Sequence, residues 1–348
     1  IKLGELQKKF IIMNKKFLLL GMIIVMGIFL SFFSGQMPLT GSVTRSFSLS
    51  AIGDVGEINV YFCPQDDCEG KLLSVLNSAT QSIHCALFEV NLQAVKDLLR
   101  EKEKIIEVQV VVDNLYTKEF HDSFVRTDKS GLMHDKFCIV DGKNVFTGSM
   151  NPTQNDAYKN NNNIFVITSL HIAHNYEEEF QEMWNGTFKK GNLVENPVIE
   201  INGTIIKTYF CPEDNCAAKV QKELAKAQTS IDFMTFSFTH EGIANAILFR
   251  YLEGVTVRGV FERRQIDEYS QYPVLAYNLG TIRKDGNKNT MHHKVFIIDG
   301  KTVVTGSFNP TKGGDQRNDE NLLIIMDERI AQLFTQEFEK VYAQAAES

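Results

Sequence analysis

Apolar positions along the chain follow two periods, and the two periods come in the same order twice. After a short strand, "INVYFC", the residues Leu72, Val75, Leu76 and Ala79 recur at i, i+3, i+4 and i+7, which predicts a helix with one apolar face. A β-rich run, "QSIHCALFEV", follows, then a helical stretch, "NLQAVKDLLREKEK", and a buried-strand run, "VQVVVD". Two apolar strands joined by Asp-Gly, "KFCIV-DG-KNVFTG", predict a hairpin. The strand "NIFVIT" and the helix "SLHIAHNYEEEFQEMW" close the unit. The second half runs "IIKTYFC", "TSIDFMTFSF", "EGIANAILFRYLEG", "VTVRGVFE", "KVFII-DG-KTVVTG", "NLLIIM" and "DERIAQLFTQEFEKVYAQA" in the same order. It is about ten residues longer ahead of its hairpin, in and around "RRQIDEYSQYPVLAYNLG". Strands alternating with helices predict an α/β fold with mixed sheets. The expected organisation is a duplication, residues 56–190 and 198–347, with the linker near 189–197.

One segment departs from this plan. Residues 17–33, "FLLLGMIIVMGIFLSFF", are uncharged and follow Lys15 and Lys16. Residues 1–34 therefore read as a signal anchor, or as a cleaved signal peptide. Either places the rest outside the cytoplasm, membrane-anchored or secreted. Composition changes little: 43% hydrophobic and 23% charged residues describe a folding chain, and a net charge of −7 excludes a global basic field for polyanions. Cysteines fit export. Cys63 and Cys68 in "YFCPQDDC" match Cys211 and Cys216 in "YFCPEDNC", so each pair could close a short loop. A zinc site of all four thiolates and free thiols are the alternatives. Cys85 and Cys138, in apolar strands, read as buried small hydrophobes.

The hairpins carry the chemistry. His134, Lys136, Asp141, Gly148, Ser149 and Asn151 in one copy match His292, Lys294, Asp299, Gly306, Ser307 and Asn309 in the other. Histidine and lysine two apart on a strand share a face. Together with a hydroxyl and an amide they supply a nucleophile or acid, a fixed cation and donors for a phosphoryl group. Asp141 and Asp299 read as structural turn residues. His293 occupies the position of Asp135 in the first copy and should face away from the site. His84, His121, His171, His174 and His240 lack a doubled pattern, and Phe180 and Trp184 read as core.

This doubled pattern resembles the HKD motif of the phospholipase D superfamily, complete in both copies, over the chain from about residue 56 to its end. The resemblance implies two α/β/α phospholipase D-like modules related by a pseudo-twofold axis, with one shared active site. It implies metal-independent phosphodiester cleavage, without cofactor, through a covalent phosphohistidine. A single chain would then be active as a monomer with an internal pseudo-dimer. In this family an acidic residue usually holds the histidine's Nδ1–H. Glu320 stands at that place after His292, whereas the first copy has Asn162. On that reading Glu320 raises the pKa of His292, making it the general acid, and leaves His134 as the nucleophile.

The substrate is a phosphodiester in nucleic acid or phospholipid. Lys118, Arg126, Lys129, Arg283, Lys284 and Lys288 precede the motifs and could track a nucleic-acid backbone, which favours an endonuclease on DNA or RNA. A phospholipase D or cardiolipin hydrolase is the alternative, with "YPVLAYNLG" at 272–280 as an apolar grip. A phosphatidyltransferase and a catalytically dead polyanion-binding module complete the set.

Overall fold

The computed structural model describes residues 50–129 and 131–345, and the anchor expected at 1–34 lies outside them. Among the described residues no helix is long and apolar enough to cross a membrane.

Two mixed sheets repeat one plan. The first orders its strands Glu57–Cys63, Asn162–Thr168, Asn144–Gly148, Lys136–Val140, Ser82–Leu87, Glu107–Val112 and Val125–Thr127. In the second, Thr204–Cys211, Asn318–Met326, Thr302–Gly306, Lys294–Ile298, Ser230–Thr235, Thr256–Phe261 and Ile282–Lys284 take the same places. Ile52–Asp54 and Val198–Ile201 extend its edge. The parallel pair Ser82–Leu87 and Glu107–Val112 needs a crossover, which the helix Gln93–Glu103 provides.

Period-two alternation sorts each strand between two layers. Cys138 and Val140 face the helices Cys68–Asn77 and Gln93–Glu103, packing with Leu72, Leu76, Val95 and Leu99. Phe137 and Ile139 face the other way, toward Tyr176 and Phe180 of the helix Leu170–Trp184. With both faces covered, the strands are apolar on both. That inner layer is common to the modules: Phe334 of the helix Glu328–Gln344 meets Phe62 at 5.0 Å, and Phe210 meets Tyr176 at 5.1 Å. Such ring pairs add about 0.5–1.5 kcal/mol each beyond their buried area.

Both hairpins turn on Asp-Gly with positive φ at each residue, 53° and 59° for Asp141-Gly142, and 54° and 61° for Asp299-Gly300. This turn matches the strands' twist. The Asp141 carboxylate also accepts bonds from the backbone N–H groups of Thr80, Gln81 and Ser82, and Asp299 does the same for Gln228, Thr229 and Ser230. Each aspartate thus ties the motif hairpin to the start of the strand beside it.

Cys63–Cys68 and Cys211–Cys216 are disulfides. Cys85 and Cys138 are buried as expected but not free. They sit opposite each other on Ser82–Leu87 and Lys136–Val140, their Cα atoms 4.1 Å apart, and form a third disulfide. Sequence alone does not reveal strand register, so this pairing was not visible there. In the second module the corresponding cross-strand pair is Phe233 and Phe296. Phe233 fills the space above Gly259, where a Cβ would come within 2.1 Å of its ring.

Candidate active site

The two motif strands meet at a seam. Leu132 and Met133 pair with Asn318 and Asp319, and the related Asn161 bridges to Met291. The backbone N–H of His134 donates to the Asp319 carbonyl, and that of His292 to the Asn161 carbonyl, both at 2.9 Å. Just before each histidine, the N–H of Met133 donates to Asp113 and that of Met291 to Glu262. Each histidine is therefore fixed against the residue that follows its partner carbonyl in the other module.

That residue is Glu320 for His134 and Asn162 for His292. The Nδ1–H of His134 donates to Glu320 Oε2 at 2.7 Å, and that of His292 to Asn162 Oδ1 at 2.9 Å. The sequence expectation that Glu320 serves His292 is thus corrected: the carboxylate crosses the seam. Ser307 donates to Glu320 and Ser149 to Asn162, at 2.8 and 2.9 Å. Both serines are fully buried and hold these partners in place. Gly148 and Gly306 let the chain pass close enough, since a Cβ on either would fall within 2.3 Å of a backbone carbonyl oxygen, that of Asn163 or Asn321. The Asn151 amide donates to Asp156, whose carboxylate also lies 3.4 Å from His292 Nδ1. Asn309 is half-buried, with its Oδ1 unpartnered among the described residues.

Lys136 and Lys294 are buried, and each Nζ donates to the carbonyl of its own module's histidine. Burial pulls Lys136 down to about 8 and Lys294 well below the usual lysine value, the second aided by repulsion from Lys136. Burial and the two lysines also hold both histidines well below the ordinary imidazole value; for His292, Asp156 opposes this. Burial lifts Glu320 to about 7, against the pull of Lys136. Each imidazole keeps 7% of its residue's surface exposed, an edge open to solvent. Two lysines face two carboxylates, Glu320 and Asp156.

Residues 72–184 and 220–342 match the family profile of the PLD-like domain of cardiolipin synthase. The chain belongs to the phospholipase D superfamily. A phospholipase D of Rickettsia prowazekii is 30% identical over 140 residues, 40% of this chain and 68% of the relative. A mitochondrial cardiolipin hydrolase of Xenopus tropicalis is 33% identical over 141 residues, 39% of this chain and 67% of the relative. The fold is similar to that of phosphatidylserine synthase from Haemophilus influenzae, with a TM-score of 0.60 at 13% identity over 82% of this chain and 85% of that one. The protein is a phosphoric diester hydrolase of this superfamily.

Some residues of this phospholipase D-type site escaped sequence reasoning. Phe88 packs its ring 4.8 Å from His134, and Phe236 lies 4.7 Å from His292, each also under its module's lysine. Both stand at the same place in "ALFEV" and "MTFSF", a doubled signal that could have found them. Asp113 and Glu262 are likewise doubled, at the ends of "VQVVVD" and "VTVRGVFE". Asp156 has no counterpart, because Gly314 occupies its place.

Other candidates sit elsewhere. His293 bonds Asn163 and lies 3.6 Å from Glu337, facing away from the site. Arg126 stacks on Trp184 and Arg283 on Tyr342, so these arginines brace the modules and do not line a groove. The helix Tyr272–Leu279 buries Tyr272, Leu275 and Leu279, leaving Val274 and Tyr277 exposed and no broad apolar grip. One oxygen from each of Glu179, Glu182 and Glu213 falls within 4.8 Å of the others, and Glu179 and Glu182 line a cavity that has no motif residue in its wall.

Proposed function

We propose that the protein cleaves nucleic-acid strands, DNA or RNA, by a metal-independent double displacement with His134 as nucleophile and His292 as general acid. The observation that carries the roles is the bond from His134 Nδ1–H to Glu320. It leaves the Nε2 lone pair free for attack and stabilises the positive charge that the ring gains. This reading keeps the roles expected from sequence but for the opposite reason, since the carboxylate bonds His134. Asp156, near His292, favours the protonated acid.

In the first step His134 Nε2 forms a bond to phosphorus, and the bond from phosphorus to the leaving oxygen breaks. That oxygen takes the proton of His292 Nε2. In the second step water gives a proton to His292, its oxygen bonds phosphorus, and the N–P electron pair returns to His134. Lys136 and Lys294 hold the charge of the equatorial oxygens. One chain contributes both histidines, so a monomer suffices.

Exposed Arg263 and Arg264 support a polyanionic strand. They brace the carbonyls of residues 287–289 just ahead of His292, which puts cations at the cleft's entrance. Phospholipid is the second reading, favoured by the printed names of the relatives. Three disulfides support an oxidising compartment, consistent with membrane anchoring through residues 17–33 or secretion.

The test offers single-stranded DNA, RNA, cardiolipin and phosphatidylcholine to the full chain in detergent with EDTA. Nucleic-acid cleavage is expected. Lipid cleavage alone would reverse the reading, transfer of a phosphatidyl group to an alcohol would indicate the transferase, and binding without turnover would indicate the dead module.

A further inference from the structure

The longer second module builds a cavity partly from its extra segment. It has a volume of about 650 Å³, within the range that holds a drug-sized ligand. One wall starts at Ser237, directly after Phe236, whose ring packs on His292. Another starts at Thr311, two residues after Asn309, and the two walls are tied by the Thr239 N–H donating to the Pro310 carbonyl at 3.0 Å. The outer wall comes from the extra segment, with Tyr269, Ser270 and Gln271. The cavity is thus built from segments that adjoin Phe236 and Asn309, on the His292 side of the second module.

In-line displacement gives that position a meaning. His134 attacks from one side, so the leaving oxygen departs on the other, at His292. A group carried on that oxygen then starts on the side of the second module where this cavity opens. We propose that the cavity is the leaving-group subsite and that it receives a nucleoside unit. The inference rests on the nuclease reading.

The lining fits a neutral polyhydroxyl group with a flat ring. Ser237, Thr239, Ser270, Gln271 and Thr311 carry hydroxyls and an amide, and the hydroxyls of Ser237 and Thr239 have no partner among the described residues. Charge sits only at the exposed rim, where Lys312 and Arg317 are offset by Glu241, Asp267 and Glu268. Tyr269 is 68% exposed, a ring on which a base can stack. A quaternary ammonium head group calls for an aromatic cage, and this lining carries one ring. The first module differs at the same positions. Glu89 replaces Ser237 and Asn91 replaces Thr239, with the Asn91 amide donating to the Glu89 carboxylate at 3.3 Å. The asymmetry orients the substrate.

The experiment compares kcat/KM on a single-stranded oligonucleotide with that on bis(4-nitrophenyl) phosphate, which has no nucleoside. For Tyr269→Ala and Thr239→Val, the loss on the oligonucleotide should exceed the loss on the ester by about 5- to 100-fold. Tyr269→Phe, which keeps the ring, should restore the oligonucleotide rate. Tyr269 is at the surface, so its loss leaves the core intact. Equal losses on both substrates would overturn the subsite while leaving the nuclease reading in place. A wild-type enzyme that cleaves phospholipid but no oligonucleotide would overturn that reading, and this inference with it.

Discussion

The two halves of the active site use the same strands, seam bonds and serine, and differ in the buried partners of the histidines. His134 faces a carboxylate, Glu320, whereas His292 faces an amide, Asn162, with Asp156 slightly farther away. A duplicated scaffold fixes where the imidazoles stand, and the buried partners, Glu320 on one side and Asn162 with Asp156 on the other, make their surroundings unlike. On the proposed roles, the carboxylate orients the His134 ring and stabilises the charge it gains during attack, while the amide holds His292 in place with less grip on its proton. A second difference lies behind the motif strands, where the first module has Cys85–Cys138 and the second has Phe233 against Phe296.

Removing the histidines tests this comparison most severely. His134→Ala should lower turnover by about 10⁴-fold or more. His292→Ala should cost about 10²- to 10⁴-fold. With an activated ester, His292→Ala should trap phosphate on His134, read by mass spectrometry at alkaline pH. Label on His292 in the His134→Ala protein would exchange the roles.

Glu320→Gln keeps the shape and removes the charge. We expect kcat to fall by about 10²-fold or more, well beyond the effect of Asn162→Ala. Equal losses would erase the asymmetry.

A third test concerns stability. Replacing Cys85 and Cys138 together by alanine should cost about 2–4 kcal/mol, since the bridge closes a long loop. Denaturant unfolding checks this, and no change in midpoint would show that the packing alone carries the module.

The smallest effect is a shift in pH. Lys136, drawn down to about 8 by burial, is cationic below that value and neutral above it, so kcat/KM should decline as pH rises through about 8. Asn162→Asp would make the halves alike. A carboxylate beside His292 stabilises its protonated form, so the alkaline limb of kcat should move up by about one unit. An unmoved limb would remove His292 from the role of acid.

Much of the fold was legible because its signals are local. The Asp-Gly turns, the helix through Leu72 and Leu76, and the paired "YFCP" loops each depend on residues near one another in sequence. The motif residues were legible because the chain repeats them. Three features were not. Cys85 and Cys138 required the strand register. Arg126 and Arg283 looked like groove residues until Trp184 and Tyr342 proved to lie beneath them. Glu320 stands 28 residues after His292, and nothing in that distance says that it faces the other module's histidine.

The amino-acid order by itself determined the duplicated α/β plan, the turns and the set of reactive side chains, because periodicity and turn chemistry act over a few residues. The tertiary structure alone decided which carboxylate bonds which histidine, which cysteines meet across a sheet, and that a cavity opens between Ser237, Tyr269 and Thr311. Those outcomes depend on two distant segments packing about a seam, and a short-range pattern carries no record of that contact.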